Sequence, residues 1–214
     1  EFEITANAEL AALDRFARTV LEVNYEFDGG TTFRSVTGYQ QGSTLYRGDL
    51  DGTSAGNWTF RDYVTEDIFS QEFNLISPDT GRLSWILGVY YQTDEYEFPP
   101  GQYLVGVPAG SVFSEYRFDG TTPKETTAVF GQISLDLTDS LQLQIGARYA
   151  HASAEHDLRF SQYGLPLTQQ QSIDWDNTSG KVSLNWTVDD HNFLYGFVAT
   201  GFRPGGLKDR KSVV

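Results

Sequence analysis

Cysteine and methionine are both absent from the 214 residues. Without cysteine the chain has no disulfide, no thiolate nucleophile and no cysteine-type zinc site. Without methionine, even at position 1, it reads as a mature or excised piece of a longer product. Positive charge is scarce: 15 basic residues stand against 29 acidic ones, a net charge of −14. A nucleic-acid partner would want a basic stripe and is therefore not expected. No basic segment followed by an apolar run opens the sequence, so no signal peptide is recognisable in it. No apolar run approaches the ~20 residues of a membrane helix, although a strand crossing in a barrel needs only ~9–11. No long amphipathic helix is legible either.

What is present is alternation. Aromatics reach 14%, with 15 Phe and 12 Tyr, and there are 21 Gly. From Glu125 to Leu137 one register reads Thr127, Val129, Gly131, Ile133, Leu135 and Leu137, and the other Ala128, Phe130, Gln132, Ser134 and Asp136. From Leu141 the apolar register is Leu141, Leu143, Ile145, Ala147 and Tyr149, against Gln142, Gln144, Gly146 and Arg148. Successive strand residues point to opposite faces, so this spacing builds a sheet with one greasy face and one polar or small-residue face.

The same rhythm runs through the chain. Thr19, Leu21, Val23, Tyr25 and Phe27 share a face. So do Phe33 and Tyr39; Phe69, Phe73 and Leu75; and Leu83, Trp85, Leu87, Val89 and Tyr91. In the last pair, Thr178–Val188 and Asn192–Phe202, the expected outer residues are Val182, Leu184 and Trp186, then Phe193, Tyr195 and Phe197. Short polar turns are expected near residues 29, 79, 139 and 190, and long loops over 42–62, 96–124 and 153–177. Residues 1–16 form a lead-in that could hold a short helix over Ala8–Arg18. Short turns at one end of an antiparallel meander and long loops at the other match an outer-membrane barrel, as do aromatics near both strand ends.

Candidates for chemistry are few. His151 and His156 flank Glu155, but a spacing of five sends them to opposite strand faces, and His191 falls in a turn. No nucleophile elbow or phosphate-cradling glycine loop occurs. Asp49-Leu50-Asp51-Gly52 begins like a calcium loop, but no acidic residue completes the spacing. Arg47-Gly48-Asp49 reads as chance in a Gly/Asp-rich loop. No catalytic residue, metal site or cofactor is expected. Arg82, Gln92, Gln142, Gln144, Arg148 and Lys181 point inward in this register. They would either pair with one another or meet a ligand.

Four segments stand out: Phe69-Ser70-Gln71-Glu72-Phe73-Asn74-Leu75, then Leu83-Ser84-Trp85 with Gly88-Val89-Tyr90-Tyr91. Val129-Phe130-Gly131-Gln132 with Leu141 to Tyr149 follows, and then Thr200-Gly201-Phe202-Arg203-Pro204-Gly205-Gly206 after Phe193-Leu194-Tyr195-Gly196. Together they resemble the barrel of TonB-dependent receptors. The likeness spans most of residues 17–207, and the tail 208–214 departs from the family pattern.

The resemblance implies an all-β antiparallel meander of about eight long strands, an internal part of a transmembrane outer-membrane β-barrel. It implies a non-enzymatic receptor in the bacterial outer membrane, taking up an iron chelate, vitamin or glycan, with lipid around the wall. A plug domain and the TonB energy-coupling protein would be partners, though neither a plug nor a TonB-gripped segment is recognisable in the chain. The alternatives are a complete small eight-stranded barrel with a structural or adhesive role, and a soluble β-rich enzyme or binding module. Pairing of the first strand with the last would mark the closed small barrel; open edges would mark a slice of a larger wall.

Overall fold

A computed structural model describes residue 5 and residues 9–50, 52–54, 59–106, 116–162 and 165–202. All regular structure in them is β. The strands are β1 (Ala11–Glu26), β2 (Thr32–Asp49), β3 (Thr59–Ile76), β4 (Leu83–Gly106), β5 (Tyr116–Thr138), β6 (Leu141–Gln162), β7 (Leu165–Asp189) and β8 (Asn192–Ala199). They form one antiparallel sheet in the order β1 to β8, each strand paired with its neighbours in sequence. Among the described residues β1 and β8 do not pair. The sheet therefore does not close on itself, as the small eight-stranded barrel would require.

The turns are tight. Asp28–Gly30 joins β1 to β2, with the Gly30 N–H bonded to the Phe27 carbonyl at 2.8 Å. Gly30 takes φ 76°, a left-handed conformation that glycine adopts without steric cost.

Register assigns the faces. Across β5, β6 and β7, Ile133 faces Ile145 and Ile145 faces Val182, while Leu135 faces Leu143 and Leu143 faces Leu184. Toward the other edge, Tyr25 faces Phe33, Phe33 faces Leu75, and Leu75 faces Leu87. Most of these side chains are exposed: Leu87 is 50% accessible, Ile133 48% and Val182 48%. The buried residues, including Asn74, Ala128, Ala152 and Ser183, lie on the opposite face. A water-soluble sheet would show the reverse.

The accessible surface is 15020 Å². A compact protein of 24.0 kDa would show roughly 9,900 Å². Among the described residues no second layer of structure covers this sheet, and its apolar face is left uncovered by them. In β6 the apolar register from Leu141 to Tyr149 is nine residues long, within the ~9–11 that a tilted strand needs to cross a membrane.

Three expectations are corrected. First, the stretches expected to be long loops are mostly strand. β4 and β5 continue past the apolar band to Gly106 and Tyr116, and β6 and β7 run to Gln162 and from Leu165. There Thr, Gln, Glu and Tyr occupy both faces, so no period-two hydrophobic signal marks a strand held by cross-strand hydrogen bonds. Second, β1 already begins at Ala11, inside the segment expected as lead-in or short helix. Backbone pairing from Ala11↔Arg47 to Glu26↔Thr32 outweighs the local helical composition.

Third, Phe193, Tyr195 and Phe197 are not on the apolar face. Thr187 pairs with Phe193 and Asp189 with Asn192, which leaves Val188 as an extra residue. This β-bulge shifts the register by one, and a one-residue shift exchanges the faces of a strand. Tyr195 and Phe197 therefore face Asn185 and Ser183, while Leu194 faces Trp186. Of the resembling C-terminal segment, Arg203–Gly206 lies outside the described residues, as does the tail 208–214.

Candidate functional site

The polar face is a hydrogen-bonded wall. Gln142 Nε2 donates to Asp136 Oδ1 at 2.9 Å, and Gln144 Nε2 donates to Gln142 Oε1 at 2.9 Å. Ser183 Oγ reaches Gln144 Oε1 at 3.3 Å. Near the other edge Arg34 bonds Asn24 Oδ1 at 2.9 Å and lies 3.5 Å from Glu22. Asn74 Nδ2 donates to Glu72 Oε1 at 2.8 Å, and the Tyr90 hydroxyl donates to Gln92.

The residues expected to point inward fall on this face and separate into groups. Gln142 and Gln144 bind one another. Arg82 and Gln142 line a cavity of about 390 Å³ beside Asp136, Asn185 and Phe193. Arg148 and Lys181 line a second, of about 370 Å³, with Gln132, Gly146, Ser179 and Thr200. The Arg148 guanidinium stands 5.3 Å from the Tyr90 ring centroid and 5.7 Å from that of Phe130. Lys181 Nζ lies 5.4 Å from the Phe197 ring. Gly88 makes room for this arrangement: a Cβ there would lie 2.3 Å from Phe130 Cζ and 2.5 Å from Asn74 Oδ1.

Beyond the apolar band the extended hairpins carry a second set of residues on the same face. The Phe98 and Phe118 ring centroids are 5.3 Å apart, and Tyr116 and Phe160 are 5.8 Å apart. Lys124 Nζ stands 5.4 Å from the Tyr96 ring. A hydrogen bond to Glu66 is the main cause that pushes the Tyr96 hydroxyl up to about 12, with burial adding to it. Gln40 Nε2 also binds Glu66, at 3.1 Å. Burial raises the Asp94 carboxyl, against the opposing pull of Lys124.

Sequence reasoning missed the aromatic group because Pro99-Pro100-Gly101 and Gly120 marked the region as loop. The usable signal was Tyr116 and Phe118 at a spacing of two, ahead of Leu158 and Phe160 at the same spacing.

The histidines divide as their spacing predicts. His151 faces Asp176 on the apolar-face side, with Nδ1 3.0 Å from Asp176 Oδ1, and His156 faces Gln171 on the other. His191 lies in the β7–β8 turn. Among the described residues no group of three or more His, Asp or Glu could hold a metal ion. The Asp49 carboxylate accepts the Gly52 N–H at 2.9 Å, so the segment that begins like a calcium loop closes a local turn.

Residues 4–212 match the family model described as TonB dependent receptor-like, beta-barrel. The chain belongs to the TonB-dependent receptor family. Its curated relatives include pesticin receptors of Yersinia pestis, 25% identical over 134 residues, and of Yersinia enterocolitica, 28% identical over 134 residues. Each match covers 60% of this chain and 18% of the relative, so the chain corresponds to a small part of those receptors.

Solved TonB-dependent receptors share the fold. The ferric yersiniabactin uptake receptor from Yersinia pestis superposes with a TM-score of 0.73 at 18% identity, covering 86% of this chain and 27% of that one. The ferric-catecholate import receptor of E. coli K12, in its open form, gives 0.66 at 16% identity, covering 89% and 36%. The eight-stranded sheet is thus part of a TonB-dependent receptor barrel, which carries the apolar face on its outside and the polar wall toward its lumen.

Proposed function

We propose that this chain forms a section of the wall of an outer-membrane receptor that takes up a small nutrient, with iron chelates the first class to test. The single observation that carries the proposal is the inverted sheet: large apolar side chains stand exposed on one face, while the buried positions lie on the polar face. The hairpins that rise beyond the apolar band bring Phe98, Tyr116, Phe118 and Phe160 together on the lumen side. Rings and half-buried polar groups at a mouth suit capture of an aromatic or conjugated ligand.

Iron chelates come first because two structural neighbours are named for ferric chelates, a ferric yersiniabactin receptor and a ferric-catecholate receptor. A vitamin or a glycan would use the same wall with other contacts at the mouth. The role is passive in chemistry, so transport relies on partners: a plug domain in the lumen and the TonB energy-coupling protein of the inner membrane. The strands β1 to β8, Ala11 to Ala199, form the barrel segment in this proposal.

Deletion of the gene that carries this segment tests it. Growth on one or more ferric chelates as sole iron source is expected to be lost, and complementation with Tyr116→Ala/Phe118→Ala to restore it only weakly. Undiminished growth of the deletion strain on every chelate, together with an unchanged response to vitamin and glycan supply, would exclude nutrient uptake.

A further inference from the structure

We infer that the mouth of the barrel selects a cargo that carries a positive charge, such as a ferric chelate with a protonated amine. This inference rests on the uptake function proposed above and adds the charge of its cargo.

The rings at the mouth stand among carboxylates. Asp94, Tyr96 and Phe98 are successive lumen-facing positions of β4, ~6.6 Å apart along the strand. Glu66 faces Tyr96 from β3, and Asp62 follows on the same face of β3, further toward the mouth. Against these three carboxylates, the lumen face of β3 to β5 beyond the apolar band sets one cation among the described residues, Lys124. The neighbouring β1 adds Asp14 and Arg18, one charge of each sign.

The carboxylates are poorly compensated. Asp62 Oδ1 and Asp94 Oδ1 are each shut off from solvent, with no hydrogen-bond partner among the described residues. Burial raises both carboxyls from the ordinary aspartate value. Lys124 faces Asp94, but its Nζ stands 5.4 Å from the Tyr96 ring. Glu66 is bonded by Tyr96 and Gln40, neither of which brings a positive charge.

A bare metal ion does not fit this wall, because among the described residues no three His, Asp or Glu come together to hold one. Separated carboxylates beside rings suit an organic cation. Its N–H groups donate to the carboxylates, while its charge and apolar stem lie on ring faces. Phe98 with Phe118 at 5.3 Å, and Tyr116 with Phe160 at 5.8 Å, supply those faces. A polyanionic chelate would instead meet like charge, which costs affinity and slows encounter.

The test compares cells that carry the full-length receptor with the deletion strain, by uptake of radioactive iron from three chelates. They are a linear ferric trihydroxamate with a free ammonium, the same chelate acetylated on that nitrogen, and an anionic ferric tricatecholate. Receptor-dependent uptake is expected for the ammonium form, and acetylation is expected to lower it roughly tenfold or more. Asp62→Asn/Asp94→Asn is expected to lower uptake of the ammonium form by a similar factor and to leave the acetylated form unchanged, with heat-modifiable migration reporting a folded barrel. Should the double variant not fold, Asp94→Asn decides, with a smaller loss expected. Receptor-dependent uptake that is equal for the ammonium and acetylated forms, or confined to the tricatecholate, overturns the inference and leaves the uptake function standing. Undiminished uptake of the ammonium form by the folded deciding variant overturns it as well. So does the absence of receptor-dependent uptake of all three, while the growth tests on other chelates, vitamins and glycans decide the uptake function separately.

Discussion

The Tyr149 hydroxyl donates a 2.6 Å hydrogen bond to Asp176 Oδ1, on the strand next to its own. Tyr149 pairs with Thr178, so its acceptor lies two residues earlier in β7. The same diagonal recurs on alternate strands. Tyr91 pairs with Thr127 and bonds Glu125 at 3.2 Å, and Tyr39 pairs with Phe69 and bonds Asp67 at 2.7 Å. Each bond ties the last ring of the apolar face to the first carboxylate above it. The three tyrosines mark the upper edge of the apolar band, the position that aromatic girdles take in outer-membrane barrels.

The band sets the first expectation. Ile145→Arg puts a charge on the lipid side and is expected to cost about 2–4 kcal/mol if the position is near the midplane. Gln144→Arg, one residue away and lumen-facing, is expected to cost far less. Denaturant unfolding of the receptor in lipid vesicles reads both, and equal costs would show that the faces do not differ in their surroundings.

The Val188 bulge gives a second. Ser183→Cys/Phe197→Cys places two thiols at directly opposed positions, a spacing of ~4.5–5.5 Å between Cα atoms that a disulfide can bridge. It is expected to oxidise readily, and Leu184→Cys/Phe197→Cys is not. The opposite pattern would mean that β8 pairs without the bulge.

Gln102 is 1% exposed and fills the irregularity that Pro99-Pro100-Gly101 makes in β4. Its Oε1 accepts the Tyr63 N–H at 2.7 Å, and its Nε2 donates to the Pro99 carbonyl at 2.7 Å. Gln102→Ala leaves a buried N–H and a carbonyl unpaired, at a cost of about 1–3 kcal/mol for each group. Hydrogen exchange at Tyr63 is expected to quicken while the amides of Ile133 and Ile145 keep their protection.

Tyr96 gives a pH signature. Its folded pKa is raised above the ordinary tyrosine value to about 12, chiefly by the bond to Glu66. The contribution to stability is therefore fully present below pH ~10 and lost as pH rises from there through about 12. Phenolate absorbance compared with Tyr96→Phe should show this late titration. Glu66→Gln should bring it back toward the ordinary value, and an unmoved titration in that variant would remove Glu66 as the cause.

Period-two alternation made the half of the sheet with the apolar band legible: in β3 to β6 every residue expected on the apolar face lies there. That pattern exists because lipid on one side and a polar lumen on the other select different residues at successive positions. Beyond the band both faces are polar, the selection ends, and Tyr116–Lys124, Ser153–Gln162 and Leu165–Asn177 read as loop although they pair as strands.

The amino-acid sequence by itself determined the two-faced sheet, its short turns, its missing thiol chemistry and its family. Only the tertiary structure decided which face β8 shows, because one bulged residue reverses a strand without altering its alternation. Only the structure brought Arg148 onto the rings of Tyr90 and Phe130, and Phe98 to Phe118 and Tyr116 to Phe160. Those contacts join residues far apart in sequence, and the register of neighbouring strands, which no local pattern encodes, sets who meets whom.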